Sequence, residues 1–388
     1  MKNNTFCLFL ILLCSLFSSN VFGQTSSASS SSFSSAAAAD GIRISGAVRQ
    51  EKTFSGAELE AFPARFERVK IPNASQAYGG TFEADGIELA GVLKACDIEK
   101  KRNDGFDREL DMYVRVIGRD GGTAVFSWGE LFLGDAANGI LLVKQLRFLY
   151  PHKHADFSKL AWKPEEWFSR NGEAVASAQK AACASCHNGT LNPVLVFPRS
   201  WCIVASRDGW PGRFVEDVVE IQVCQVPADQ IPVIASQPRE TMWVEKPSLI
   251  LPDGSKSEIA PDSFKDLPRF SQRGCSFGLG KGFHGIHDRN SYDLAMVLGK
   301  RLEKYDLNQA VILVSCPDGY RGLFSGAEVF RSRNSGNVLM IDAEDGQPMK
   351  PGDGKFKIFS NGDFYIDRSL RSVAEIRCFL PGKPDTKE

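Results

Sequence analysis

The chain contains the same stretch twice, and this limits what it can fold into more than any other feature. The residues from Tyr113 to Glu130 return as Val311 to Glu328, each with an Asp-Gly pair at the same place, Asp120-Gly121 and Asp318-Gly319. In both copies the glutamate follows the aspartate by ten positions. Apolar and polar residues alternate around the pair, which predicts strand, tight turn, strand. Ahead of each turn, leucines on one face predict a short helix, at Leu89 to Leu93 and again at Leu294 to Leu298. Both copies also end alike, Arg213 through Val223 matching Arg368 through Cys378. A chain built this way is expected to hold two sibling domains.

The siblings differ in length at one place. Asp120 lies 93 positions before Arg213, whereas Asp318 lies 50 before Arg368. The first copy therefore has about 43 extra residues, after the Asp-Gly hairpin and before the apolar run Val194 to Phe197. Within this excess, Trp162 to Phe168 has a proline near its start, and Gly172 to Ala182 is rich in alanine. Both read as helix.

The excess also contains Cys183-Ala184-Ser185-Cys186-His187. Two thiols at this spacing each add across a vinyl group of one porphyrin, and the adjoining imidazole reaches the iron from the same face. The competing readings are a local disulfide or half of a zinc site. No second Cys-x-x-Cys completes a four-cysteine site, and no histidine pair follows at zinc-finger spacing. Covalent haem c on Cys183 and Cys186, with His187 on the iron, is the expectation.

The N-terminus predicts the compartment such an attachment needs. Lys2 opens a short polar start, Phe6 to Phe17 is apolar apart from Ser15, and Val21-Phe22-Gly23 allows cleavage before Gln24. Residues 1–23 read as a signal peptide, too short for a comfortable membrane span. Leu13 before Cys14 argues against a lipoprotein. Residues 24–40, almost all Ser and Ala, read as a disordered linker. The expected location is the periplasm, with no transmembrane segment once the signal is removed. A net charge of −1 with scattered basic residues argues against a nucleic-acid partner. After signal removal and haem attachment, six cysteines remain: Cys96, Cys202, Cys224, Cys275, Cys316 and Cys378. Disulfides among them are permitted but not required.

The opening Ile42 to Val48, the short helix near Leu59, the segment Gly86 to Leu93, the hairpin at Asp318 to Tyr320 and the ending from Arg213 together resemble the molybdopterin-binding domain of the sulfite oxidase superfamily. The resemblance covers most of residues 41–225 and, more loosely, 245–380. It implies an α+β class: two tandem mixed, β-rich domains, 41–225 and 226–388. The first would carry a mainly helical, haem-bearing insertion at about 147–192. Enzymes of that family bind molybdenum through a cysteine after an early strand. The first copy has Val69 to Ser75 there, without a cysteine. The second has Cys275, with Arg273, Lys281 and Arg289 as candidates to meet a pterin phosphate. The rest of the family pattern around Cys275 is poor, so the expectation is a retained fold that has lost molybdopterin.

The second axial ligand of the iron is sought among the remaining histidines, which form two pairs, His152/His154 and His284/His287. The first pair is local to the motif. The second would clamp the domains across the haem. Met242 and Met349 are the thioether alternatives, and an open site is a further one. The local pair is preferred because it needs less loop closure. The functional expectation is single-electron transfer to or from a redox partner, periplasmic or membrane-bound. The alternatives are a molybdenum oxidoreductase with a haem relay, and a haem-based binding or sensing module.

Overall fold

The computed structural model describes residues 41–72, 78–100, 105–134, 139–149, 195–209, 212–333 and 336–382. The signal peptide and linker expected at 1–40 lie outside the described residues. The described residues belong to one compact unit.

Four β-sheets make up this unit, two from each half of the chain. The first contains β1 (Gly41–Gly46), β2 (Lys52–Ser55), β5 (Met112–Gly118), β6 (Thr123–Ser127) and β9 (Val218–Gln225), in the order β2-β1-β9-β5-β6. Its counterpart contains β10 (Ser248–Ile250), β11 (Lys256–Glu258), β14 (Val311–Ser315), β15 (Arg321–Ser325) and β19 (Glu375–Phe379), in the order β11-β10-β19-β14-β15. The two orders are the same, down to a single parallel pair in each, β1 with β9 and β10 with β19. The second pair of sheets is likewise related. One is β3 (Ala64–Pro72), β4 (Tyr78–Glu88), β7 (Ile140–Phe148) and β8 (Leu195–Ala205), in that order. The other runs β12 (Phe270–Gly278), β13 (Gly282–Asp293), β16 (Val338–Glu344), β17 (Gln347–Pro348), with β18 (Lys357–Ser360) also on β16.

The side-chain period of two places a core on each face of the central strands. On β5, Val114 and Val116 face a core shared with Leu142 and Ile203 of the β3–β8 sheet. Tyr113, on the other face, packs with Val311, Leu313 and Phe379 of the second half. On β14, Ile312 and Val314 face Met340 and Ile358 of the β12–β18 sheet. Burial on both faces explains why these two strands read as nearly unbroken apolar runs. The β5–β6 and β14–β15 hairpins close over equal lengths, Ile117 opposite Thr123 and Ser315 opposite Arg321.

The α+β expectation is corrected. Helix among the described residues amounts to five short α-helical turns, α1 (Gly56–Glu60), α2 (Leu89–Lys94), α3 (Trp128–Phe132), α4 (Leu294–Leu298) and α5 (Gly326–Phe330), and five three-residue 3-10 turns. None forms a layer, and the architecture is β throughout. The leucine pattern lasts only one turn in α2 and α4, and each apolar face fits into a sheet core. The α3 and α5 turns are set by capping boxes, Ser127 with Glu130 and Ser325 with Glu328, at the end of a strand. No helical insertion is present among the described residues, and residues 150–194 lie outside them. No helix among the described residues is long and apolar enough to cross a membrane.

Candidate functional site

The Cys183-x-x-Cys186-His187 stretch lies in sequence between strands β7 and β8. These two strands pair antiparallel, and their register ends at Phe148 opposite Leu195. In the second half the corresponding hairpin, β16 to β17, is closed by Asp345 and Gly346 alone. Both have positive φ, 52° and 74°, and Glu344 lies opposite Gln347. An Asp-Gly turn of this kind matches the strand twist. Cys183, Cys186, His187, His152 and His154 lie outside the described residues.

The other sequence-derived candidates lie on β12 and β13. Cys275 is an exposed thiol directly opposite Ile286, and His287 stands opposite Gly274. His287 uses both ring nitrogens: Nδ1 is 2.8 Å from Asp345 Oδ2, and Nε2 is 3.2 Å from the His284 carbonyl. The bond to Asp345 raises its pKa above the ordinary imidazole value, more than partial burial lowers it. An imidazole held this way has no nitrogen free for iron. Met242 and Met349 are buried, the latter among Leu339, Ile341 and Phe359. Neither thioether is presented to a cofactor.

The residues around Cys275 do not fit a molybdopterin. Cys275 is exposed on β12, the end strand of its sheet among the described residues. Arg273 is exposed beside Asp288 at 3.8 Å. Arg289 points inward, is buried over the Phe359 ring at 4.3 Å and bonds Glu344 at 3.2 Å and Ser276. The three basic residues expected to converge on a phosphate therefore do not. No group of three or more His, Cys, Asp or Glu side chains among the described residues is arranged to hold a metal. The six described cysteines are all free thiols.

Sequence reading missed the most connected polar cluster, which lies where the halves meet. Arg213 Nε donates to Asp208 Oδ2 at 2.9 Å, and its Nη1 donates to Glu130 Oε2 at 2.8 Å. The same Nη1 also reaches the Val125 carbonyl at 3.3 Å and, in the other half, Ser325 Oγ at 3.2 Å. Arg368 repeats every contact. It donates to Asp363 Oδ2 at 2.8 Å, to Glu328, to the Leu323 carbonyl at 3.0 Å and across to Ser127 Oγ at 3.0 Å. Each guanidinium also lies 4.5 Å from a ring centroid, Phe126 for Arg213 and Phe324 for Arg368.

Four carboxylates thus surround two arginines in the interior, around a cavity of about 50 Å³ lined by Glu130, Asp208, Glu328 and Asp363. Burial pushes the Glu130 carboxyl up to about 7, against the pull of Arg213 and reinforced by Glu328. Burial likewise pushes Asp363 up to about 6, against Arg368. The signal that could have found this cluster was the repeat itself. An arginine stands at the matching place in both copies, with an aspartate five positions earlier each time.

No family model matches the chain, and no curated protein matches it. Among solved structures it is similar to the sulfane dehydrogenase SoxCD from Paracoccus pantotrophus. That similarity has a TM-score of 0.29 and 10% identity, over 87% of this chain and 74% of that one.

Proposed function

We propose that this chain is an exported c-type haem protein that passes single electrons to and from a redox partner in the periplasm. The observation that carries the reading is the segment Cys183-x-x-Cys186-His187 behind a signal-like N-terminus. Cys183 and Cys186 would bind the porphyrin by thioether bonds, and His187 would hold the iron. The bound group supplies a one-electron ferric/ferrous couple. The body contributes four β-sheets with buried apolar cores, and strands β7 and β8 flank the attachment segment in sequence. Of the distal candidates, His152 and His154 are favoured over His284 and His287 because they are local to the motif and need less loop closure, and both ring nitrogens of His287 are engaged. The molybdenum reading loses support from the open setting of Cys275.

The test is expression with cytochrome-maturation machinery, followed by acid-acetone extraction and a pyridine haemochrome spectrum. The expected result is haem that stays on the polypeptide and adds one haem to its mass. Replacing both Cys183 and Cys186 by Ala should abolish that mass. Colour stripped fully by acid-acetone from the unaltered protein would overturn the reading.

A further inference from the structure

We propose that the β12–β13 hairpin seats this protein on an anionic phospholipid surface. Nine large hydrophobic side chains are exposed among the described residues, and five of them gather here: Phe277, Leu279, Phe283, Ile286 and Phe364. Their exposure runs from 43% at Phe277 to 62% at Phe283. The other four, Phe66, Val233, Met296 and Leu380, are scattered along the sequence. Single exposed apolar residues need no explanation, whereas a contiguous group does.

The backbone is shaped to put these side chains on one face. In a regular strand, Phe283 and Ile286 would point to opposite sides. An irregularity corrects this: Phe277 pairs with Phe283 and Ser276 with Gly285, so His284 is the extra residue of a bulge. Gly285 takes a φ of 114° to make it. Beyond the bulge, Ile286 stands opposite Cys275, on the same side as Phe277 and Phe283. The other face is turned inward, with Ser276 buried and bonded by Arg289. The hairpin is also held firmly. Leu279 N donates to Asp367 Oδ2 at 3.0 Å, and the Phe277 ring lies 6.2 Å from Phe364 and 6.1 Å from Tyr365.

Charge selects the occupant. From Phe277 to Ile286 the hairpin contains Lys281 and His284 and no carboxylate, and the Asp367 carboxylate that accepts from Leu279 N is paired with Arg108 at 3.3 Å. Lys281 lies exposed in the turn between Leu279 and Phe283. A ridge with apolar side chains around an ammonium suits the boundary between anionic headgroups and acyl chains. The five side chains expose on the order of 500 Å² in all, taking 150–250 Å² for a whole aromatic residue. That is less than the ~800 Å² per partner of a stable protein interface.

Co-sedimentation of the full mature chain with vesicles tests the proposal. With phosphatidylglycerol/phosphatidylcholine vesicles at low ionic strength the protein should pellet, and with phosphatidylcholine alone far less. Leu279→Ser combined with Phe283→Ser should weaken binding at least tenfold, and Lys281→Glu severalfold. A Leu279→Trp variant should gain emission that brominated lipid quenches. Thermal melts of these surface variants should match the parent, which separates lost docking from lost folding. The proposal is overturned if the double variant pellets like the parent, or if brominated lipid leaves the added emission unchanged. It is equally overturned if sedimentation equilibrium shows a parental dimer that the double variant makes monomeric. That last result would assign the ridge to a second copy pairing along the open edge of β12.

Discussion

Arg368 and Ser127 stand 241 positions apart in the chain, yet Nη1 of the first donates to Oγ of the second at 3.0 Å. Arg213 returns the contact in the opposite direction, to Ser325. Each half therefore completes the helix cap of the other. Neither arginine can be removed without leaving buried carboxylates unpaired. Arg368→Met should cost about 3–5 kcal/mol, because Glu328 and Asp363 lose their partner in the interior. Urea unfolding would read this as a lower midpoint at similar slope. A loss under 1 kcal/mol would show that the network does not hold the halves together.

Close approach of the same guanidinium explains a glycine. A Cβ on Gly129 would overlap Arg368 Nε and Cζ. Gly129→Ala should therefore destabilise by about 1–3 kcal/mol, the range for overpacking a core. The gain in helix propensity at α3 cannot offset it. An unchanged melting temperature would count against the Arg368 placement.

The central carboxyls also give stability a pH dependence. Glu130 and Asp363 titrate near 7 and 6 in the folded protein, and near 4 when unfolded. Between those values the folded state holds more protons than the unfolded state. Their contribution to stability is therefore full at pH 4 and falls as the pH rises to about 7, by at most about 1.4 kcal/mol per pH unit for each group. Glu130→Gln, which stays neutral, should flatten unfolding midpoints measured from pH 5 to pH 8. The same slope in parent and variant would place the titration elsewhere.

Thiol chemistry distinguishes Cys275 from the other five described cysteines. Burial pushes the Cys224 and Cys378 thiols up, to about 11 and about 12. Cys96 and Cys316 are raised by burial as well, and Cys202 is buried. Under native conditions an alkylating reagent should modify Cys275 fast and the other five only after denaturation. Peptide mass mapping would show this, and equal labelling of Cys202 or Cys316 would contradict the packing described.

Histidine variants separate the two candidate ligand pairs. His287→Ala should leave the visible spectrum of haem-loaded protein unchanged, since Asp345 and the His284 carbonyl already occupy that ring. A variant lacking both His152 and His154 should shift towards a high-spin, five-coordinate spectrum. The opposite pattern would move the distal ligand to the second half.

Different parts of this fold were legible in the sequence to different degrees, for physical reasons. The Asp-Gly hairpins were readable because a left-handed turn position restricts residue choice and the flanking strands alternate or run apolar. The turns at Leu89 and Leu294 were readable too, but their weight in the fold was not. A single capped turn between strands has the same leucine spacing as the start of a long helix. The bulge at His284 gave no local warning beyond Gly285, so the shared face of Phe283 and Ile286 could not be inferred. The Arg213 and Arg368 cluster is joined across the halves by contacts spanning 112 and 241 positions, and only the matched arginines of the repeat hinted at it.

The junction at Phe148 and Leu195 has one further consequence. A segment whose ends meet at neighbouring positions of a hairpin can be lengthened, shortened or exchanged without rerouting any strand of the body. In evolutionary terms such a mount is a socket. The plain two-residue turn after Glu344 shows the socket's closed form in the sibling half.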